Sequence, residues 1–156
     1  MNLEKSLYSQ TVAALRMLAP IKLRPHHLVR LAVARMRQRR VGCTVVVDDQ
    51  DRPIGQFSER TLIRLLDAGR PFLDDPVERH LSEPFICLRA NDPLASAIRA
   101  MEKHGARFLL VVDEEDQLIG LTGQKALMLY LAESFPRSVK VQALEPRLSM
   151  DHREGA

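Results

Sequence analysis

The 156-residue sequence has no tryptophan, two cysteines, seven glycines and only 4% aromatic residues. Two Tyr and five Phe, set mostly in apolar runs, offer no platform on which nucleic-acid bases would stack. Two Cys cannot make a disulfide scaffold. Cys43 and Cys87 each lie inside an apolar run and read as free, buried thiols of a reducing cytoplasm. No apolar stretch approaches the ~18 to 20 residues of a spanning helix, and the first residues lack the charged start and cleavage site of a secretory signal. The expectation is a cytoplasmic protein with no membrane role. A composition of 46% hydrophobic and 28% charged residues excludes disorder. A chain this long also buries enough surface to fold without a disulfide or structural metal.

Acid is missing where base is densest. Residues 21–40 hold Lys22, Arg24, Arg30, Arg35, Arg37, Arg39 and Arg40 with no Asp or Glu, whereas residues 71–120 carry an acidic excess. Such a segment favours an anionic partner class. A solvated face, or a dimer contact to the acidic half, is preferred over nucleic acid, because the stacking aromatics are absent.

A shift of 65 residues lays the chain on itself without a gap. Ile21 falls on Ile86, Leu23 on Leu88, Arg24 on Arg89, Ala32 on Ala97 and Met36 on Met101. The match continues through Val46-Val47-Asp48 on Val111-Val112-Asp113, Ile54-Gly55 on Ile119-Gly120, and Leu62 on Leu127. Val29, Ala32, Val33 and Met36, and their counterparts Leu94, Ala97, Ile98 and Met101, follow helical spacing and predict one apolar helix face per copy. Cys43 to Val47 and Phe108 to Val112 predict strands buried on both faces, each followed by an acidic turn, a second strand and a helix. The fold class is therefore α/β: tandem β-α-β-β-α repeats packed as a pseudo-twofold pair. The expected division is an N-terminal helix within 1–18, a first repeat over 19–70, a linker, short helix and second repeat over 71–135, and a tail over 136–156. Gln10 to Leu18 and Val77 to Leu81 are the two lead-in helices. The tail holds Val139 to Leu144, a candidate edge strand.

In order and spacing, the Ile-x-Leu strand, the Ala-x3-Met helix, the Val-Val-Asp strand end and the Ile-Gly after a four-residue acidic turn resemble the CBS domain. This is the cystathionine-β-synthase-type repeat that occurs in tandem as a Bateman module, and the likeness covers about residues 10 to 133. The resemblance implies a regulatory module and not an enzyme, sensing AMP, ADP, ATP or S-adenosylmethionine in a cleft between repeats. It further implies a homodimer acting on an unidentified regulated protein. The alternative is a ligand-free homodimeric protein-interaction module.

The family's ligand motif runs Gly-x-hydrophobic-Ser/Thr-x-x-Asp. The first copy matches its hydroxyl at Ser58 but has Thr61 in place of Asp; the second has Gly123 and Ala126 at those positions, with Thr122 one residue early. A carboxylate accepting two ribose hydroxyls is poorly replaced by Thr and not at all by Ala. An Arg that many members place before the Val-Val-Asp strand is replaced by Cys43 and Phe108, with Arg107 one residue away. The resemblance thus favours the first copy, with Ser58 and Thr61 on one wall and Lys22, Val41, Gly42 and Cys43 opposite. Arg107, Phe108 and Thr122 are the second copy's candidates.

Other chemistries are weaker. His26-His27 align with Asn91-Asp92 and read as a helix-start cap instead of a metal site, because no third ligand lies at suitable spacing. The acidic turns lack the glycine and distal glutamate of a calcium loop. Ser58 has no His-acid pair to activate it.

Overall fold

The computed structural model describes residues 2–82 and 85–136; the expected tail strand lies outside them. Helix α1 (Leu3–Ser9) begins at Asn2, whose side chain accepts the Glu4 amide, and is followed by a 3-10 turn at Val12–Ala14. Each repeat then runs through the same series. The first comprises β1 (Lys22–Leu23), α2 (Val29–Arg39), β2 (Cys43–Val47), β3 (Pro53–Ser58) and α3 (Glu59–Asp67). The second comprises β4 (Cys87–Arg89), α4 (Leu94–His104), β5 (Phe108–Val112), β6 (Leu118–Gly123) and α5 (Gln124–Ser134).

The two sheets are copies in detail. In each, the first strand pairs parallel with the second, and the second antiparallel with the third. The register repeats at the same offset, Cys43 opposite Ser58 and Phe108 opposite Gly123, and both ladders shift between the last two residues of the central strand. The acidic turns are closed by their first side chain. Asp48 accepts the amides of Gln50 and Arg52, Asp113 those of Glu115 and Gln117, and Asp51 and Asp116 take the left-handed conformation at φ 61° and 63°. His27 Nδ1 accepts the Arg24 amide where Asp92 accepts the Arg89 amide, so the two residues do the same job at the same place.

Alternation along the central strands sorts the core into three. Val46 faces Val29, Ala32 and Met36 of α2, and Val111 faces Leu94, Ala97 and Met101 of α4. Val45, Val47, Leu110, Leu118 and Leu121 meet between the sheets and join the repeats. Each such fully buried aliphatic side chain contributes about 1.5 to 3 kcal/mol.

Two expectations need correction. Residues 10–18 do not form the predicted helix, because their polar backbone bonds elsewhere. Val12 and Ala13 donate to the carbonyls of Asp92 and Ala90, Leu94 donates to Gln10, and Leu18 pairs with Leu121. The equivalent linker folds onto the first repeat in the same way, with Val77 N–H to His27, Ser82 N–H to Gln56, and a 3-10 turn at Val77–His80. Each repeat is thus completed by the segment that leads into the other. Cys87 is the second correction. It is exposed on edge strand β4, matching the exposed Lys22 at the same repeat position, while Cys43 is buried.

Candidate functional site

The C-terminus of α2 with the Val41-Gly42 link after it, the first residue of α3, the start of β5 and the β6–α5 junction converge around a cavity of about 740 Å³. Its floor and sides include Leu18, Val41, Phe108, Leu121 and Ala126. Among the described residues its charged lining is Arg16, Arg39, Arg40, Arg107 and Lys125 against one acid, Glu59. Five cations around one carboxylate create a positive field inside a partly apolar concavity, suited to a ligand with both an anionic and a flat apolar part.

The sequence builds each wall for a local reason. Arg40 stops α2 in the left-handed conformation, φ 53°, and donates its amide back to the Met36 and Arg37 carbonyls. That turn brings the basic end of α2 to the cavity. Thr122 donates its hydroxyl to the Arg16 carbonyl at 3.1 Å, tying the N-terminal segment to β6. Gly123 precedes α5 without capping it, so first-turn amides of this eleven-residue helix have no side-chain partner there. A Cβ at Gly123 would lie 2.0 Å from the Arg107 carbonyl oxygen, so the motif's hydroxyl cannot be restored at this position without moving the strand. Arg107 stacks 5.8 Å from the Phe108 ring centroid and faces Glu59 at 3.9 Å. Gly42 lies beneath them, where a Cβ would come within 2.7 Å of Glu59 Oε2 and 3.1 Å of Phe108 Cζ.

Of the residues singled out from sequence, Val41, Gly42, Arg107, Phe108 and Thr122 line this cavity. Lys22, Cys43, Ser58 and Thr61 do not. Ser58 caps α3 through the Thr61 amide, and both hydroxyls turn to Ser82 of the linker, leaving Ser58 8% and Thr61 2% exposed. Leu81 packs over Gly55, closing the same spot. Lys22 is paired with Asp51 at 3.0 Å. It borders a smaller cavity of about 220 Å³ with His27, Arg35 and Arg39. Burial pushes the Cys43 thiol up to about 12, which keeps it protonated and inert. Arg39 and Arg40 belong to the acid-free basic run that the sequence assigns to an anionic partner class, though not to a cleft, whereas no sequence signal marks Arg16, Glu59 or Lys125. Within that run Arg30 is taken up by Asp74. Among the described residues no cluster of three or more His, Cys, Asp or Glu could hold a metal.

Comparison with known proteins agrees with this architecture. The CBS domain model matches twice in tandem, at residues 12–68 and 77–133. An uncharacterised protein of Methanopyrus kandleri is 30% identical over 96 residues, covering 60% of this chain and 48% of that protein. A second uncharacterised protein, from Acidianus ambivalens, is 24% identical over 105 residues, 67% of this chain and 63% of that one. The chain therefore spans less than two thirds of the length of these relatives. Among solved structures, a CBS domain protein of Pyrobaculum aerophilum complexed with AMP is 27% identical with a TM-score of 0.65, covering 80% of this chain and 98% of that one. The CBS domain pair of protein MJ0100, in complex with 5′-methylthioadenosine and S-adenosyl-L-methionine, shares the fold at 14% identity and a TM-score of 0.71, covering 80% and 98%. With two matched repeats, two copied sheets and a cavity between them, the chain belongs to the CBS domain family as a tandem pair.

Proposed function

We propose that this CBS pair is a regulatory module that senses an adenine nucleotide in the cleft over the second repeat, without catalysing a reaction itself. The observation that carries the reading is the cavity lining: five cations and one carboxylate beside Phe108, Val41 and Leu18. Phosphate is drawn to the guanidinium groups and to the start of α5, which has no side-chain cap although its first amide donates to the Arg107 carbonyl, while a purine finds the apolar side. The field also ranks the candidates. AMP, ADP and ATP bring negative charge, whereas the sulfonium of S-adenosylmethionine brings positive charge into a basic cavity. AMP in the Pyrobaculum relative supports the same class. The hydroxyls of Ser58 and Thr61 are buried under Ser82, so one ligand per chain is expected instead of two.

Binding transmits a signal only if it favours one arrangement of the two repeats. Calorimetric titration with AMP, ADP, ATP and S-adenosylmethionine, paired with thermal melting, tests the reading. A stoichiometry near one and a raised melting temperature are expected for the phosphorylated ligands. Saturating nucleotide that neither releases heat nor moves the transition overturns it.

A ligand-independent homodimeric interaction surface is the second reading. It is favoured by Ile63 on α3 and Met128 on α5, which occupy the same repeat position and are 67% and 63% exposed.

A further inference from the structure

Among the described residues, one ion pair joins the two matched repeats: Arg107 of the second to Glu59 of the first. It also lies in the wall of the large cavity, where Glu59 is the only acid among the described residues. Resting on the reading of that cavity as the nucleotide site, we propose that Glu59 is a built-in counter-anion: it holds Arg107 across the cleft until a ligand phosphate displaces it, so that ligand entry exchanges the ionic link between the repeats for a link through the ligand.

Three observations carry this. The pair is loose, at 3.9 Å, with both side chains more than half exposed, and such pairs contribute little to stability and exchange readily. The guanidinium is already positioned by Phe108, over whose ring it sits, so releasing Glu59 leaves it aimed into the cavity. Glu59 is seated by Gly42, whose missing Cβ would otherwise fall 2.7 Å from its carboxylate, and among the described residues its carboxylate pairs with Arg107 alone, across an open 3.9 Å contact. The carboxylate therefore weakens phosphate binding twice, by occupying one cation and by repelling the incoming anion. A ligand with several phosphate charges loses most from that repulsion and also competes best for the guanidinium. Glu59 thereby sets how much anionic charge a ligand must carry to open the link.

The test uses the full chain and its Glu59→Gln variant, with inorganic tripolyphosphate, ADP and uncharged adenosine as probes. Glutamine keeps the shape of the side chain and removes its charge. The expected result is about tenfold tighter binding of tripolyphosphate and ADP by E59Q, with the gain shrinking between about 50 mM and about 300 mM salt. Adenosine affinity should not change, which a merely structural role of Glu59 would not predict. In an Arg107→Gln background, which lacks the partner, E59Q should improve tripolyphosphate binding distinctly less. Unchanged or weaker tripolyphosphate binding by E59Q, or an equal gain for adenosine, overturns the counter-anion role while leaving the nucleotide site standing if the wild type binds ADP. If neither protein binds tripolyphosphate or ADP, both the site and the counter-anion role fail.

Discussion

Arg40 holds a left-handed backbone at φ 53°, where its repeat counterpart is Gly105 at φ 58°. A side chain in that conformation costs roughly 1 kcal/mol that glycine avoids. The strained residue lines the cavity, which is where such strain tends to be retained. Arg40→Gly should therefore raise stability by about 1 kcal/mol in urea melts and weaken nucleotide binding severalfold in titrations. Higher stability with unchanged affinity would remove Arg40 from the site. His27 gives a second residue-scale prediction. Burial, then the neighbouring His26, Arg24 and Arg35 charges, hold its imidazole below the ordinary range, and the neutral ring is also what accepts the Arg24 amide. The folded form thus favours neutral His27. Its stabilising contribution is present above about pH 6.5 and is lost as the pH falls through the lower folded value. Melting temperature should drop on acidification below pH ~6.5, and His27→Asn should flatten that slope by offering a non-titrating acceptor. Residue type marks Ser58 and Thr61, whose hydroxyls suit phosphate and ribose, but it does not foresee that both turn to Ser82, a residue the motif does not contain. Comparing position 40 with position 105 held the better clue, because an arginine standing where the other copy has glycine signals a position kept for its charge.

Strands and helices were the most legible features. β2 and β5 begin and end where their charge-free, β-branched and apolar runs do, since a strand buried on both faces excludes charge along its whole length. Residues 10–18 were not legible, because their apolar spacing suits a helix while their amides pair with α4 and β6 across a long sequence separation. Cys87 failed for a related reason: β4 reads as apolar but lies at a sheet edge. α3 and α5 carry the element-scale prediction. Their equivalent Ile63 and Met128 are largely exposed, and a twofold copy of the chain would meet that surface with the same surface. Light scattering should give twice the chain mass for the wild type and a monomer for the Ile63→Glu/Met128→Glu double variant. A wild-type monomer at micromolar concentration would exclude this homodimer.

The whole molecule is crossed over. Val12 and Leu15 belong to the core of the second repeat, and Phe72 and Val77 to that of the first, while a third core fills the space between the sheets. Cutting at the nominal repeat boundary strips each half of its lid and exposes one side of its sheet. Fragments 19–70 and 71–136 should show little cooperative unfolding alone, whereas the full chain should unfold in urea in one transition seen alike by secondary-structure and tertiary probes. Two separate transitions would mean that the repeats are independent. The same crossing imposes a schedule on synthesis. Arg16 takes up the hydroxyl of Thr122, more than a hundred residues later in the chain, so the cavity has no floor until the second repeat has left the ribosome. A nascent chain therefore lacks the complete cavity, and the proposed ligand site exists only once both repeats do.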